Sequence, residues 1–432
     1  MKKDILKKIG LLVSSNGISL IFPVLFAPIL SRIYSPEEFG IYAMFTTVVG
    51  LAALISSFRY DFLLYRYVLN KYIIKSYYIA LIIVFCFFII ISIISIILFF
   101  TNTIMIWYLL IPVSVFLSGF IQLNLTLANV FEKYKLISFI SILRSISINI
   151  LMLLFGLISS NFKFLIICFI LTQLLQALFL LISLNKLKNS INISYTEFVF
   201  FIKKHFNELK HSVLSTLTNS LSIQLPILYM KNYFSYNDVG NYFQSDRLVT
   251  IPVKIVSRSL STVYIKEVSK IKDDKNKVSI LTLDFIKKMV LVGVIPFSVL
   301  FVFGKELFLF LLGPDWSSAG IFIVILSPYV YINFLVIPLI NLFEIYSLQK
   351  KLLGFNTSLL VFRALALAFG AYYDSLILGI IIFSAASILN YVLMLSYLIH
   401  YVKANLFKVL LIILGSFISL SVIIYLIKIL LV

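Results

Sequence analysis

The sequence is poor in charge and in the residues that build metal sites and disulfides. Only 12% of its 432 residues are charged, and it contains two cysteines and three histidines. Cys86 and Cys168 both fall in apolar runs, which is typical of buried small hydrophobic residues and not of a disulfide or a metal site. The sequence also lacks a phosphate-binding loop, a nucleophile elbow and paired cysteine and histidine ligands. It therefore predicts no metal, no cofactor and no enzyme active site.

Apolar residues take the place of the missing charge. They make up 62% of the chain, and its mean hydropathy of +1.09 is more than a water-soluble domain could bury. Runs of about 18 or more apolar residues recur along the chain, and each could cross about 30 Å of hydrocarbon as a helix. Since helices satisfy their own backbone groups in lipid, we predict an all-α polytopic membrane protein.

The apolar runs predict about 12 to 13 transmembrane helices. The first run follows four lysines but lacks a small-residue cleavage site and is too long for a signal peptide, so we interpret it as a retained span. The thirteen predicted spans are residues 9–31, 39–58, 77–100, 106–130, 137–158, 162–184, 209–231, 239–264, 286–312, 319–346, 352–371, 375–400 and 407–431.

Basic residues set the predicted orientation. The formal net charge is +19, and lysines and arginines concentrate in every second loop if the N-terminus is cytoplasmic. The opposite loops hold little beyond Arg32, Lys163 and Lys231, in agreement with the positive-inside rule. Cytoplasmic lysines contact anionic headgroups, so membrane lipids are predicted partners. Because the basic residues form no single patch or arm, nucleic acid is not a predicted partner.

A short repeat divides the chain into two halves. Asn16 and Pro23 in the first span are matched at equal spacing by Asn219 and Pro226 in the seventh, and YSPEEFGIY at 34–42 resembles FSYNDVGNY at 234–242. Copies six spans apart share one orientation, which predicts two pseudo-symmetric six-helix lobes. Chance recurrence of short motifs in an apolar chain is the alternative. The predicted parts are an N-terminal lobe at 1–185, a basic cytoplasmic linker at 186–208, a C-terminal lobe at 209–400 and an extra transmembrane helix at 401–432.

Three cations in the eighth span are the main candidates for ligand binding. Arg247, Lys254 and Arg258 are spaced so that they share one face of a helix. Charges inside a membrane are costly and face a water-filled cavity or a charged partner. The stripe suits the oxygens of an anionic ligand, such as the pyrophosphate of a polyprenyl-linked sugar. In the alternative interpretation, Arg258 and Lys254 reach the headgroups while Arg247 pairs with an acid.

Two other spans carry polar residues at helical spacing. The fourth span has Ser114, Ser118, Gln122 and Thr126, and the seventh has Ser212, Ser215, Asn219 and Ser222. Single hydroxyls commonly join helices, whereas continuous polar stripes with amides line wet cavities, and both interpretations stay open. Gln122 and Asn219 are therefore candidate substrate contacts.

Three acids lie at or inside span ends and are candidates for ion coupling. They are Asp61, Asp246 and Glu344, and Glu344 shares a predicted helical face with Asn333 and Asn341. A carboxyl group whose pKa is raised by burial could bind and release a coupling proton. Equally, Asp61 could only pair with a neighbouring arginine at the cytoplasmic surface.

Several short motifs follow one another along the chain up to about residue 350. They are Arg32-Ile-Tyr-Ser-Pro-Glu-Glu-Phe-Gly-Ile-Tyr, Arg59-Tyr60-Asp61, Ser222-Ile-Gln224-Leu-Pro226, Asp246-Arg247 with Pro252, and Gly313-Pro-Asp-Trp316. In this order they resemble the polysaccharide or O-antigen flippase branch of the multidrug/oligosaccharidyl-lipid/polysaccharide exporter superfamily. Arg32, Arg59, Asp61, Gln224 and Arg247 lie in these motifs and join the candidate site residues.

The resemblance implies a transporter and not an enzyme. Such a protein moves a polyprenyl-pyrophosphate-linked oligosaccharide repeat unit to the outer leaflet of the bacterial cytoplasmic (inner) membrane, by alternating access of two lobes around a cationic cavity. The product would be O-antigen, lipopolysaccharide or capsule, with the polysaccharide polymerase and chain-length machinery as candidate protein partners. Two features depart from the family pattern, because the usual Pro-Lys does not follow Arg59-Tyr60-Asp61 and a thirteenth span exceeds the common twelve.

Two other functions stay open from the sequence. A multidrug exporter of the same superfamily would favour acids and aromatic residues in its cavity, because its substrates are mostly cationic. An integral-membrane glycan polymerase or ligase would share the composition and the basic loops. Such enzymes usually need a sizeable outer loop, and every predicted outer loop here is short.

Overall fold

The computed structural model describes residues 2–66, 69–101, 105–185 and 195–431, where the long elements are α-helices. The helices are α1 (Lys2–Ile33), α2 (Pro36–Ile55), α3 (Asn70–Phe100), α4 (Ile111–Val130), α5 (Tyr134–Ile158), α6 (Phe162–Leu184), α7 (Tyr195–Tyr233), α8 (Tyr236–Ile271), α9 (Lys275–Leu312), α10 (Ser317–Val336), α11 (Asn341–Ile345), α12 (Gln349–Tyr372), α13 (Leu376–Tyr401) and α14 (Leu406–Leu431). Short 3-10 segments cover Tyr60–Tyr65, Ile106–Leu110, Pro314–Trp316 and Ile337–Ile340. The side chains of the predicted residues Asn16, Ser215 and Arg258 lie outside the described part.

Ten helical stretches in the described ranges are long and apolar enough to cross a membrane. The predicted spans at 9–31, 209–231 and 239–264 are not among them. In α1 the apolar stretch found is the shorter Ser19–Ile33, and α7 and α8 carry more polar and charged residues. All three are nevertheless helical throughout the predicted range, and α10 and α11 together cover the span predicted at 319–346. The predicted all-α polytopic membrane fold is confirmed.

Two helices, α7 and α9, extend well beyond the spans predicted for them. α7 has 39 residues and α9 has 38, so α7 is about 58 Å long against about 30 Å of hydrocarbon. The predicted linker at 186–208 is therefore helical from Tyr195 onward, and residues 186–194 lie outside the described part. Residues 272–274 alone separate α8 from α9, and Asp274 caps α9 by accepting from the backbone N–H groups of Asn276 and Lys277.

The helices form two compact units that are not contiguous in sequence. The first contains residues 1–26 and 41–224, and the second contains residues 27–40 and 225–432. The turn between α1 and α2 thus belongs to the second unit, whereas most of α7 belongs to the first. The predicted lobe boundaries at 185 and 209 stay a prediction.

In the first unit, the segment Tyr60–Tyr65 is held firmly against the helices around it. Leu63 and Leu64 are buried in one apolar cluster with side chains of α3, α4 and α6. The Tyr60 hydroxyl donates to the Ile202 carbonyl at 2.9 Å, and burial raises the pKa of this phenol above its ordinary value. The turn that follows α2 therefore has a fixed position.

The two copies of the predicted repeat have the same local structure in the second unit. The Ser35 N–H donates to Glu38 Oε2 at 2.8 Å, and the Ser235 N–H donates to Asp238 Oδ2 at 3.2 Å. The N–H groups of Glu38 and Asp238 donate back to the serine hydroxyl oxygens. Both α2 and α8 thus begin with a reciprocal capping box. This agreement supports the predicted repeat.

The starts of α2 and α8 cross in backbone contact at two glycines. A Cβ atom on Gly40 would lie 1.8 Å from the Tyr236 carbonyl oxygen, and one on Gly240 would lie 1.7 Å from the Pro36 carbonyl oxygen. No other residue type fits at either position without separating the helices. The crossing therefore explains why both copies of the repeat have glycine at this place.

A buried tryptophan ties the α1–α2 turn to the rest of the second unit. Trp316 is fully buried, and its Nε1 donates to the Ser31 carbonyl at 2.9 Å. Its ring also meets the Phe39 ring edge-on, with 5.6 Å between the ring centres. Two of the motifs that carry the family resemblance are thus in direct contact.

Candidate functional site

A polar pocket lies within the first unit, between the end of α2 and the helices α4, α5 and α6. Its volume is about 270 Å³. The apolar part of its lining includes Ala53, Leu54 and Ile121. The polar lining residues are Ser56, Ser57, Arg59, Asp61, Ser118, Gln122, Arg144, Gln173 and Gln176. Charged and amide groups from three helices and one turn therefore face a single space.

The turn after α2 positions an arginine and an aspartate at this pocket. Phe58 and Arg59 both have positive φ, at 45° and 62°, which is uncommon for residues other than glycine. Asp61 is buried and accepts a hydrogen bond from the Ser57 hydroxyl at 2.7 Å. The Arg59 guanidinium lies 5.2 Å from the centre of the Phe62 ring. Uncommon backbone conformations of this kind are found preferentially at functional sites.

A second arginine comes from the middle of α5. Arg144 lines the pocket, and its side chain is exposed. It also interacts electrostatically with Tyr42. Arg144 was not among the residues predicted from the sequence, because that prediction followed charges on one helical face. The signal was present, because a charged residue in the middle of an apolar span marks a functional site by default.

Two glutamines of α6 form a buried part of the polar lining. Gln173 and Gln176 are 5% and 3% exposed. Gln173 Nε2 donates to the Ser118 hydroxyl at 2.7 Å and to the Ser114 carbonyl at 3.3 Å. Because a backbone carbonyl only accepts, this contact fixes which end of the Gln173 amide is the nitrogen. Neither glutamine was among the residues predicted from the sequence.

Three buried polar atoms at this pocket have no hydrogen-bond partner within the described part of the chain. They are Arg59 Nε, Gln173 Oε1 and Gln176 Nε2. A buried polar group without a partner costs about 1–3 kcal/mol, so such groups are retained where something else binds them. The pocket therefore has two donors and one acceptor available for a ligand.

The polar stripe predicted on α4 is only partly directed at the pocket. Ser118 and Gln122 line it. The Ser114 side chain is buried away from the lining, and the Thr126 hydroxyl donates to the Gln122 carbonyl of its own helix at 3.0 Å. Half of the stripe thus faces the pocket, whereas the other half lies within the helix packing.

In the second unit, the predicted acid Asp246 of α8 lies near a buried arginine of α12. Asp246 is half-buried and lies in electrostatic contact with Lys254 and Arg363. Arg247 is half-buried, with its guanidinium 5.9 Å from the centre of the Phe243 ring, and Lys254 is exposed. Arg258 is helical in its backbone, and its side chain lies outside the described part.

Arg363 is the most deeply buried of these charges. It is 1% exposed, and its guanidinium lies 5.3 Å from the Tyr329 ring centre and 4.7 Å from that of Phe383. Its Nε donates to the Ser387 hydroxyl at 2.9 Å. Two aromatic rings and a hydroxyl thus hold the cation in a fixed place. Arg363 was not predicted from the sequence either, although it also lies inside an apolar span.

The remaining predicted site residues lie outside the lining of the first unit's pocket. Arg32 is exposed at the end of α1, and Asn219 is exposed on α7. Gln224 Oε1 accepts from the Thr47 hydroxyl at 3.5 Å. Glu344 is exposed on the short α11, which the segment Ile337–Ile340 separates from the α10 helix that carries Asn333. That break interrupts the helical face predicted to join Glu344 to Asn333.

The chain has the fold of a class of membrane transporters. A structure of the lipid II flippase MurJ in an inward closed conformation matches 98% of this chain and 92% of that chain, with a TM-score of 0.75 and 16% identity. An inward-facing multidrug resistance MATE family transporter of the MOP superfamily matches 91% and 94%, with a TM-score of 0.61 and 13% identity. A MOP superfamily transporter from Pyrococcus furiosus matches 92% and 97%, with a TM-score of 0.59 and 12% identity.

The sequence itself assigns the family. Residues 29–321 match the family of polysaccharide biosynthesis proteins, and this range covers more than half of the chain. The chain therefore belongs to the polysaccharide biosynthesis protein family, with the fold of MOP superfamily transporters. No curated protein sequence matches it. The family resemblance inferred from the sequence motifs is confirmed.

Proposed function

We propose that the chain is a flippase for a polyprenyl-pyrophosphate-linked oligosaccharide repeat unit. It would move this lipid from the inner to the outer leaflet of a bacterial cytoplasmic membrane by alternating access, for O-antigen or capsule assembly, with its N-terminus in the cytoplasm. The pocket of the first unit supports this proposal most directly. There, two arginines and buried amide groups face a space of about 270 Å³, which suits a charged and polar headgroup better than an apolar one.

The charge of the pocket favours an anionic headgroup. Arg59 and Arg144 outnumber Asp61, which is the single acid among the described lining residues. Guanidinium groups pair with phosphate oxygens through charge-assisted hydrogen bonds, and a hydrogen bond to a charged group contributes about 1.5–3 kcal/mol. Loss of one arginine should therefore weaken binding of the pyrophosphate about 10- to 100-fold. The polyprenyl tail would stay in the lipid.

The α8 cations of the second unit offer a further set of phosphate contacts. Arg247 is half-buried and Lys254 is exposed, so a ligand could reach both. Arg258 and Arg32 are further candidates, which we propose from the sequence pattern. Among the predicted ion-coupling acids, Asp246 is the strongest candidate, because its carboxyl group interacts electrostatically with Lys254 and Arg363. We keep Asp61 and Glu344 as further candidates for this role.

Drug export and glycan polymerisation are the competing functions. A drug exporter for cationic compounds would have acids in excess at its binding pocket, and the described lining here has the opposite balance. If the flippase proposal holds, the polysaccharide polymerase and the chain-length machinery receive its product, and they become the protein partners to test by crosslinking.

The proposal is tested by deleting the gene in its own host. Lipid-linked repeat units should accumulate on the cytoplasmic leaflet while surface polysaccharide disappears, and wild-type protein should restore it. Arg144→Met should fail to restore it, whereas Lys351→Met, which removes an equal charge at an exposed position of α12, should succeed. Unchanged surface polysaccharide combined with raised sensitivity to cationic dyes would refute the proposal in favour of drug export.

A further inference from the structure

A groove of about 280 Å³ lies between the end of α8 and the beginning of α9, within the second unit. Its walls are held together by Tyr264, whose hydroxyl lies 2.8 Å from Thr282 Oγ1 and whose ring centre lies 4.5 Å from that of Phe285. Val263 and Val292 also line the groove and are 59% and 55% exposed. The groove therefore has packed walls and an accessible mouth.

Charged residues line one end of the groove, and apolar residues line the rest. The charged lining residues are Glu267 on α8 and Asp284 and Lys288 on α9. The apolar lining extends from them as far as Leu260 and Val292, which is about 10–12 Å along the two helices. The charged end is nearer the turn between α8 and α9, which is predicted to be cytoplasmic. This arrangement matches a lipid headgroup followed by its acyl chain.

The charged end decides which lipid the groove would select. Lipid tails are as apolar as the groove itself, so an acyl chain gains little by leaving the surrounding lipid. The lining has two carboxylates and one ammonium group, a net charge of −1, in a chain whose formal net charge is +19. The groove therefore favours a headgroup that carries a cation, whereas the basic loops favour anionic headgroups.

The ion pairs at this end can be exchanged at little cost. Lys270 Nζ donates to Glu267 Oε1 at 2.5 Å, and Lys288 Nζ lies 2.7 Å from Asp284 Oδ2. All four side chains are between 44% and 73% exposed, and exposed pairs within one helix contribute little to stability. An ammonium group of a ligand can thus replace the lysines at both carboxylates. Lys288 is then available for a phosphate group.

We propose that the groove binds one phospholipid with an ethanolamine headgroup. Its ammonium group binds Glu267 and Asp284, its phosphate binds Lys288, and one acyl chain follows the apolar lining. An ethanolamine headgroup has N–H donors for both carboxylates, whereas the quaternary nitrogen of choline has none. The site is separate from the polar pocket of the first unit, and it does not depend on which lipid the protein transports.

The test measures lipid binding to the full-length protein, purified in detergent, by native mass spectrometry. The probes are dioleoyl phosphatidylethanolamine, phosphatidylcholine and phosphatidylglycerol, which have the same acyl chains and differ only in the headgroup. Wild-type protein should retain one molecule of the ethanolamine lipid with about fivefold or higher preference over the other two. Equal affinities for the three lipids, tighter binding of another lipid, or no binding would overturn the inference.

Three double variants link the preference to the two acids. Glu267→Gln with Asp284→Asn should weaken binding of the ethanolamine lipid about fivefold or more and remove the preference. Asp273→Asn with Asp374→Asn removes the same charge at exposed positions outside the groove lining and should leave the preference intact.

Glu267→Lys with Asp284→Lys should reverse the preference in favour of phosphatidylglycerol, a gain that misfolded protein would not show. A preference for the ethanolamine lipid that survives neutralisation of both acids, or an equal loss in the control, would overturn the assignment.

Discussion

Replacement of Gly240 by alanine should destabilise the protein through a contact that the structure defines closely. The new Cβ atom would lie 1.7 Å from the Pro36 carbonyl oxygen and 2.9 Å from the Gly40 nitrogen. Real Cβ contacts essentially never fall below 3.0 Å, so the helix starts would have to separate by the difference, about 1.3 Å. Both partners are backbone atoms and cannot rotate away. Overpacking of this kind costs about 1–3 kcal/mol.

Gly354 provides the matched control for this prediction. It lies in α12, and a Cβ atom placed there meets nothing within 4 Å. Alanine in a helix is more stable than glycine by about 0.5–1 kcal/mol, so Gly354→Ala should be neutral or stabilising. The assay is the midpoint of thermal unfolding in detergent, measured at one heating rate because membrane proteins often unfold irreversibly. A midpoint for Gly240→Ala equal to or above that of Gly354→Ala would refute the proposed close crossing.

Three further predictions concern single side chains. Trp316→Phe removes the donor to the Ser31 carbonyl and should lower the stability by about 0.5–1.5 kcal/mol in thermal unfolding. This loss should exceed that of Trp107→Phe, at the chain's other tryptophan, and equal unfolding midpoints for the two variants would contradict the prediction. Asp274→Ala should lower stability at neutral pH. The hydrogen bonds from the Lys277 backbone N–H and side chain lower the pKa of Asp274. The stability difference between wild type and Asp274→Ala should therefore be present above about pH 3.9 and should disappear as the pH falls through the lowered pKa. Arg363→Met should cost up to about 3 kcal/mol, and Asp246→Asn in the same chain should recover part of it; strictly additive losses in a double-mutant cycle would show that the two charges do not interact.

The helices could be predicted because the bilayer imposes a simple rule on them. Every predicted span coincides with helix, including the polar α8, where hydropathy alone is weak but the alternation of basic loops requires a crossing. The extents of α7 and α9 were underestimated, because a helix that leaves the hydrocarbon continues with a composition that resembles a surface loop. The break after α10 contains a proline, Pro338, which lies in the 3-10 segment Ile337–Ile340.

The pocket could be predicted only in part. Arg59 came from the family resemblance, Asp61 came from its position at a span end and from the same resemblance, and Gln122 came from its polar stripe. Nothing in the sequence showed that these three side chains line one pocket. Arg144 and Gln173 escaped because a helical face relates residues within one helix and says nothing about which helices meet. A search for every polar residue in the middle of a span would have found both.

Two structural features lie beyond sequence patterns altogether. The positive φ of Arg59 follows from how the turn after α2 packs on α3 and α4, which is a long-range effect on a local angle. The contact between Gly40 and Gly240 joins segments that are 200 positions apart in the sequence (240 − 40). The repeat predicted that these segments are alike, and it did not predict that they touch.

Transport of a lipid-linked sugar by the purified protein tests the central claim most directly. Proteoliposomes that contain polyprenyl-pyrophosphate-N-acetylglucosamine on one leaflet would be assayed for its appearance on the other, with wild-type protein, Arg144→Met, Arg144→Lys and Lys351→Met. Wild-type and Lys351→Met should move the lipid at similar rates, Arg144→Lys should move it more slowly, and Arg144→Met should lose at least tenfold. A folded Arg144→Met protein that moves the lipid as fast as wild type would contradict the assignment of this pocket to the anionic headgroup.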